Sequence, residues 1–350
     1  MNYRKIVETV SLGSVTMGAK TTYRIQRRRL WLEGIFVRYI ITTAGSPAVT
    51  AQSTERAFTA ANEITLDVHD GAPRQMIRAR GTSLIEMAWR EGMPPDGETL
   101  HQVGATMAVS ETRRFQVPLL IVPPWAEDPI GSFLALPLAS LQEDPVLTLD
   151  VPAGLTILTT GSTTNISSIA VELEFHYRDI TAADPLYFPQ EIVSNLKVWS
   201  GGQQDYELAG TGFLVSLLAQ NWSDASTRGT ALADTTTFAD EWLIYYGQTV
   251  VDRRTVRGAF MGSEMFGGPS YYGHATANGN LWNNASWFRD FLRDRPFAGA
   301  FNAGSALNLN TLALGGDKAR VVASNSVANA KTYFTHRKLL AASLEKLVAV

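Results

Sequence analysis

One short group of residues has types and spacing that could bind a metal. Asp67-Val68-His69-Asp70 places two carboxylates and one imidazole within four positions. Both groups are common metal ligands. On an extended strand, however, Asp67 and His69 point to one face while Asp70 turns away. The pattern therefore predicts the end of a strand followed by a turn, and no metal site.

A second group could support acid–base chemistry. Glu172 and Glu174 lie two residues apart in IAVELEFHY, so they share a strand face opposite to Val171, Leu173 and Phe175. A pair of carboxylates is the catalytic requirement of many glycoside hydrolases. A solvated outer strand face explains the same pattern more simply. A two-domain hydrolase that uses Glu172 or Asp67 is the third and weakest of three functional alternatives.

Other catalytic and cofactor motifs are absent from the sequence. There is no GxxxxGK[ST], no strand-borne GxGxxG, no HExxH and no GxSxG. The five histidines are scattered, and the chain has no cysteine, which excludes disulfides, thiolate metal sites and cysteine nucleophiles. We therefore expect a protein that is not an enzyme, with no catalytic residues, no cofactor and no metal.

Composition indicates two domains and an assembled state. A single core rarely extends beyond roughly 250 to 300 residues, and this chain has 350. It is 45% hydrophobic but only 18% charged, below the roughly 25% of an average soluble protein. A protein with so little charge often buries much of its surface in an assembly. The sequence shows neither a signal peptide nor an apolar run long enough for a membrane span, so we expect synthesis in a cytoplasm.

The first 40 residues are basic although the whole chain has a net charge of −3. They carry eight basic side chains against two acidic ones. Such a segment could contact anionic lipid or nucleic acid. The alternative is a solvated strand edge with scattered arginines. The basic residues are Arg4, Lys5, Lys20, Arg24, Arg27, Arg28, Arg29 and Arg38.

Hydrophobic periodicity favours strands over most of the chain. Runs rich in β-branched and aromatic residues, or alternating apolar and polar residues, predict strands. Apolar residues near helical spacing over 75–91, followed by Gly92 and Pro94, predict a helix. Proline at a first helical turn predicts a second, short helix over 128–141. In the first half the predicted strands cover 30–41, 63–68, 115–122, 146–151 and 169–177.

The second half repeats this order. A shift of 178 residues places Gly34 to Val37 on Gly212 to Val215, and Ala61 to Ile64 on Ala239 to Trp242. A shift of 177 then places Trp89 on Phe266. Few of these matches are identities, so the repeat is a hypothesis about architecture. Further predicted strands cover 306–314, 319–323 and 331–335.

Three long loops are rich in Gly, Ser, Thr, Ala and Asn: 44–62, 223–239 and 266–284. Loops of this length usually have a function. The last one adds aromatic residues, a composition found in adaptable binding loops. It could decorate an exterior surface or contact another subunit, or it could simply be an ordered loop. The candidate exterior residues are Tyr271, Tyr272, His274 and Trp282.

Three segments resemble double jelly-roll major capsid proteins of tailless icosahedral viruses, including bacterial viruses with an internal membrane. They are RRLWLEGIFVRYI, PPWAEDPIGSFLALPLASL and IAVELEFHYRD. The resemblance covers nearly the whole chain. It implies an all-β fold with a few short helices, formed by two tandem eight-stranded antiparallel jelly-roll β-sandwiches.

This resemblance and the periodicity together divide the chain into four parts. We expect an N-terminal basic arm over 1–28, a first jelly roll over 29–182 and a second over 183–336. Leu339, Leu340, Leu344, Leu347 and Val348 lie on one helical face. The last part, 337–350, is therefore expected to be an amphipathic helix.

The resemblance also implies a function. Three copies would form a homotrimer with a pseudo-hexagonal footprint, and such trimers would tile the shell of a virion. Other expected partners are vertex or minor capsid proteins and an internal lipid membrane; no specific small-molecule substrate is expected. Termini lie toward the inner side of such shells. The residues expected to contact lipid, genome or a neighbouring trimer there are Arg24, Arg27, Arg28, Arg29, Arg337 and Lys338.

An alternative function belongs to a different class. The chain could be a receptor- or carbohydrate-binding β-sandwich, such as a phage spike or a lectin-like module. Tyr271 and Tyr272 would then stack on sugar rings, and the protein would form small trimers that never close a shell.

Overall fold

The chain folds into two compact units, the first ending at Tyr187 and the second beginning at Phe188. This boundary lies five residues after the expected boundary at 182/183. The structure is a computed structural model, and statements about it concern the residues that it describes. These are 3–44, 61–93, 112–124, 126, 130–152, 165–180, 187–208, 212–222, 241–255, 286–291, 307–308, 318–326 and 328–340.

The described residues of the first unit form nine strands and two short helices. The helices are α1 (Gly81–Arg90) and α2 (Ile130–Leu134), with a 3-10 turn over Leu138–Ser140. The strands are β1 (Tyr3–Val15), β2 (Lys20–Arg24), β3 (Trp31–Ala44), β4 (Glu63–His69), β5 (Pro73–Ala79), β6 (Thr112–Leu120), β7 (Leu136–Pro137), β8 (Val146–Asp150) and β9 (Asn165–Ile180).

These strands form two antiparallel sheets. The order within one sheet is β1-β9-β3-β6, with the short β7 also paired to β3, and the order within the other is β2-β8-β4-β5. Alternation places one face of each strand in the core. On β9, for example, Val171, Leu173 and Phe175 are at most 1% exposed, while Glu172 and Glu174 are half-buried on the other face.

The second unit repeats this arrangement. Its order is β10-β18-β12-β15, with β16 paired to β12, and β11-β17-β13-β14 in the second sheet. Each strand therefore has a counterpart in the first unit, and the repeat predicted from the sequence is confirmed. The strands are β10 (Gln190–Val198), β11 (Gly202–Glu207), β12 (Phe213–Trp222), β13 (Glu241–Tyr246), β14 (Thr249–Thr255), β15 (Ser286–Asp290), β16 (Leu307–Asn308), β17 (Ala319–Ser326) and β18 (Lys331–Leu339).

The register of the repeat differs along the chain. The bulge after Leu66 in β4 matches the bulge after Ile244 in β13, which is the predicted shift of 178. In β3 the bulge follows Leu32 and in β12 it follows Leu214, a shift of 182. The pairings of β7 and β16 give the same 182. The alignment of Gly34 on Gly212 was therefore wrong by four residues, because the connection from β12 to β13 is that much shorter than its counterpart.

The first 24 residues belong to the first unit rather than to a separate arm. β1 pairs with β9 along its whole length, and β2 pairs with β8. The expectation of a basic arm over 1–28 is therefore wrong for these strands. The apolar and β-branched residues of KIVETVSL favour a strand, and this preference outweighs the nearby positive charge.

Both cores are aromatic. In the first unit the ring of Tyr39 stacks on that of Phe115, with centroids 4.9 Å apart. In the second unit Trp242 stacks on Trp287 at 5.7 Å and meets Trp199 edge-on at 5.9 Å. Geometries of this kind are the preferred ones for aromatic pairs. Of the eight tryptophans, Trp89, Trp199, Trp242 and Trp287 are therefore core residues.

The helix predicted over 75–91 begins later than expected. Pro73–Ala79 is strand β5, and α1 starts at Gly81. A Cβ atom on Gly81 would lie 2.4 Å from the Cβ of Ala61, so a side chain has no room there. Along α1, Ala88 packs on Phe36 and Leu120, which lie on the outer face of the first sheet.

Two other predicted helices also differ from the structure. Within 128–141 only Ile130–Leu134 is α-helical, and β7 and a 3-10 turn follow it. The helix expected over 337–350 is wrong for Arg337 to Leu339, because these residues complete β18 and pair with β10. Residues 341–350 lie outside the described part of the chain.

Candidate functional site

Four arginines follow or end β2, and two of them are held by the first unit. Arg28 forms an ion pair with Glu8 of β1, and its guanidinium lies 4.4 Å from the ring centroid of Tyr177 on β9. Burial raises the pKa of Tyr177 to about 12, although the adjacent Arg28 opposes this shift. Arg28 therefore ties the basic segment to both β1 and β9.

Arg27 is the second anchored residue. Its Nη1 donates hydrogen bonds to the carbonyl oxygens of Leu141 and Gln142 at 3.0 and 2.8 Å. Its backbone N–H donates to Oδ1 of Asp144 at 3.1 Å, and its Nε lies 3.5 Å from the same oxygen. Guanidinium donors suit such fork-like contacts. Arg27 thus fixes the loop between β2 and β3 to the loop before β8.

The anchoring leaves two other basic side chains directed to solvent. Arg24 and Arg29 are exposed, and neither makes an ion pair with a residue that the structure describes. Arg4 and Lys5 are exposed at the start of β1, next to the end of β9. The sequence analysis counted these two residues but did not assign them to a site. The strand pairing adds them to the same unit as Arg24 and Arg29.

Arg337 and Lys338 do not join this group. They lie in β18 of the second unit, where Arg337 is 2% exposed and Lys338 is 6% exposed. Nη1 of Arg337 donates to Oε1 of Gln190 at 2.7 Å, and Nζ of Lys338 lies 3.3 Å from Glu191. The expectation that both contact lipid, genome or a neighbour from an exposed helix is corrected by this placement, because buried cations need such partners.

The expected exterior residues are outside the described part of the chain. Tyr271, Tyr272, His274 and Trp282 all fall in the stretch 256–285, of which the structure describes nothing. Their role in decoration, subunit contact or sugar binding stays a prediction.

The two groups that suggested chemistry are engaged in other contacts. Asp67 and His69 line a surface cleft of about 320 Å³, where Nδ1 of His69 lies 3.7 Å from Glu143. Asp70 instead binds Arg74, with two contacts of 2.9 and 2.5 Å. Among the described residues no group of three histidine, cysteine or carboxylate side chains is placed to hold a metal.

Glu172 and Glu174 share one arginine. Nη1 of Arg38 lies 3.2 Å from Glu172, and its Nη2 lies 3.8 Å from Glu174. Oε1 of Glu174 is also 2.7 Å from Nε2 of His176. A hydrolase needs one carboxylic acid that stays protonated near neutral pH. A shared cation favours the charged form of both carboxylates, so the arrangement suits an ion-pair network on a strand face.

The strand order identifies the architecture. In each unit the first strand lies beside the last, and the second beside the last but one, which is the wrapping of a jelly roll. The fold is a double jelly roll. Among the described residues no helix is long and apolar enough to cross a membrane.

Solved structures share this double jelly roll over nearly the whole chain. The major capsid protein of Sulfolobus Turreted Icosahedral Virus is similar with a TM-score of 0.68 and 14% identity, covering 99% of this chain and 100% of that one. Vp54 of PBCV-1 gives 0.65 and 12%, over 97% and 94% of the two chains.

A third double jelly roll comes from a bacterial virus. The major capsid protein P2 of bacteriophage PM2 gives a TM-score of 0.57 and 12% identity, covering 96% of this chain and 98% of that one. At these identities the likeness concerns the fold alone. No protein-family model matches the sequence, and comparison with curated proteins found no match.

Proposed function

We propose that this chain is the major capsid protein of an icosahedral virus, a structural protein without catalysis. The observation that carries the proposal is the complete double jelly roll, which this chain shares with capsid proteins from end to end. Fold alone is a weak guide to function in general. Here, however, all three similar proteins build virus shells, and their lengths match that of this chain.

The internal repeat supports a particular assembly. Two equivalent sandwiches in one chain mean that three copies present six similar units. Such a homotrimer would have a pseudo-hexagonal outline, which can tile a closed shell. Oligomers with closed symmetry are the usual outcome when a chain carries complementary surfaces. The protein would then be found in the virion after synthesis in the host cytoplasm.

The basic end of the first unit would serve a second contact. Arg24 and Arg29, with Arg4 and Lys5 nearby in the same unit, offer exposed positive charge, while Arg27 and Arg28 hold the segment in place. In our proposal this surface faces anionic lipid, the genome or a neighbouring trimer. Vertex or minor capsid proteins would be further partners.

Electron microscopy with light scattering of the purified protein tests the proposal. Trimers with a hexagonal outline, or closed shells, are the expected result. A protein that stays monomeric at high concentration across a range of salt would overturn the capsid function. Selective binding to a glycan array by such a monomer would favour the carbohydrate-binding alternative.

A further inference from the structure

Large apolar side chains are exposed on only a few described strands. Val7 on β1 is 57% exposed, and Val250 and Val251 on β14 are 39% and 42% exposed. The others are Leu196 and Val198 on β10. Single exposed apolar residues need no explanation, but valines grouped on sheet edges mark surfaces that a partner could cover.

Both β1 and β14 are edge strands. Among the described residues β1 pairs only with β9, and β14 pairs only with β13. An edge strand presents a row of free backbone N–H and C=O groups, which proteins usually protect with proline, bulges or charge. From Tyr3 to Ser11 β1 runs without a bulge and contains no proline. This stretch can therefore accept another strand.

The repeat provides an internal comparison for β14. Its counterpart in the first unit is β5, and both strands carry a bulge at the same place relative to β4 and β13. The bulged residue is Met76 in β5 and Val251 in β14. Met76 is 1% exposed, whereas Val251 is 42% exposed. The same position in the sandwich is thus covered in one unit and bare in the other.

We propose that the β14 edge of one copy docks on the β1 edge of a second copy, with Val250 and Val251 against the surface around Val7. The inference rests on the proposed capsid function and names the contact by which copies associate. Each copy has one edge of each kind. A contact between two unlike edges can continue from copy to copy until a ring closes. A β1–β1 contact would leave the valines of β14 exposed.

Cross-linking tests this contact directly, because the chain has no cysteine. A protein with both Val7→Cys and Val251→Cys, treated with a short bis-maleimide, should give covalent dimers and trimers under denaturing conditions. Each single-cysteine variant should remain monomeric on the same gel. A mixture of the two single variants should stop at covalent dimers. The matched control is Val198→Cys combined with Val7→Cys, which should not cross-link.

Charge substitution provides a second readout. Val7→Lys and Val251→Glu should each raise the concentration needed for trimers by at least ~100-fold, because each leaves a charge without a partner in an apolar contact. The double variant should recover most of this loss. Circular dichroism and thermal melting of the dissociated variants separate lost association from lost folding.

The possible outcomes distinguish the contact from the function. If the unmodified protein forms no trimers, the capsid proposal itself fails. If trimers form but none of these variants cross-links or dissociates, the β1–β14 contact is wrong while the capsid function stands. Cross-linking of the Val7→Cys variant alone would indicate a β1–β1 contact and would overturn the proposal.

Discussion

The hydroxyl of Tyr187 donates a hydrogen bond to Oδ2 of Asp70 at 3.2 Å, at the last residue of the first unit. Nη2 of Arg74 contacts both, at 2.5 Å from Asp70 and 3.2 Å from the Tyr187 oxygen. The three side chains attach the end of the first unit to the hairpin between β4 and β5. A residue that seemed to belong to a metal cluster is therefore part of a structural contact.

This contact predicts a pH dependence of stability. Burial alone would raise the pKa of Asp70, but the hydrogen bonds and charge of Arg74 and the hydroxyl of Tyr187 outweigh it and lower the pKa. A carboxyl whose pKa is lowered by folding stabilises the protein above its unfolded pKa of about 3.9. That stabilisation is lost as the pH falls through the lower, folded pKa.

Asp70→Asn should therefore destabilise the protein at pH 7 and have little effect at the lowest pH. Urea unfolding at a series of pH values measures this difference. Tyr187→Phe, which removes one hydrogen bond and keeps the ring, should cost only about 1 kcal/mol. Equal destabilisation by Asp70→Asn at every pH would contradict the assignment.

The start of α1 predicts a steric effect. A Cβ atom at position 81 would lie 2.4 Å from the Cβ of Ala61 and 2.8 Å from its carbonyl oxygen. Gly81→Ala should therefore reduce the free energy of unfolding by roughly 1 to 3 kcal/mol, the usual cost of overpacking. Combining it with Ala61→Gly should recover part of this loss, since one of the two clashes disappears. Thermal melting of the four proteins completes the cycle.

Local patterns predicted most elements but not their exact ends. The alternation in IAVELEFHY correctly placed Val171 inside and Glu172 outside. For 75–91 the apolar spacing fits a helix from end to end, and the tertiary pairing of β5 with β4 decides that Pro73–Ala79 is a strand. Propensity is a weak guide where such pairing competes with it.

The candidate surfaces were harder to predict because exposure depends on tertiary pairing. Arg28 and Arg29 are neighbours in sequence, yet one packs over Tyr177 and the other is exposed. Arg337 appeared to belong to a helix, since the pattern after it is amphipathic, but β18 continues to Leu339. Adjacent valines at 250 and 251 were the available signal for an apolar edge, because neighbouring strand residues face opposite sides.

In the second core one hydrogen bond predicts a stability difference. Nε1 of Trp199 donates to Oγ1 of Thr332 at 2.8 Å, and both residues are buried. Thr332→Val keeps the shape but leaves the indole N–H without this acceptor, which should cost about 1 to 3 kcal/mol. Thr332→Ser keeps the acceptor and is the control. Similar melting temperatures for the Val and Ser variants would show that the bond contributes little.

Tyr39 predicts the opposite behaviour. Its ring is fully buried against Phe115, and its hydroxyl has no hydrogen-bond partner among the described residues. Burial also raises its pKa, since the charged form would be poorly solvated. Removing a buried polar group without a partner relieves a desolvation cost. Tyr39→Phe should therefore leave stability unchanged or raise it by up to about 1 kcal/mol in urea unfolding.

The exposed basic residues predict salt-dependent binding to an anionic surface. Each basic residue close to an anionic bilayer contributes about 1 kcal/mol, so Arg24→Ala with Arg29→Ala should lower partitioning onto anionic vesicles roughly 10- to 30-fold. The loss should shrink as salt screens the charges. Arg253→Ala in the second unit, where Arg253 is exposed and pairs with Glu241, is the matched control.

Co-sedimentation with vesicles measures this binding, and filter binding to DNA under the same conditions compares the genome as the alternative ligand. A loss confined to vesicles would assign the basic end to lipid, and a loss confined to DNA would assign it to the genome. If the double variant binds both ligands as well as the unmodified protein and the control, Arg24 and Arg29 do not contact either. Their exposed charge would then be available for a neighbouring trimer, which the assembly of the same variant would reveal.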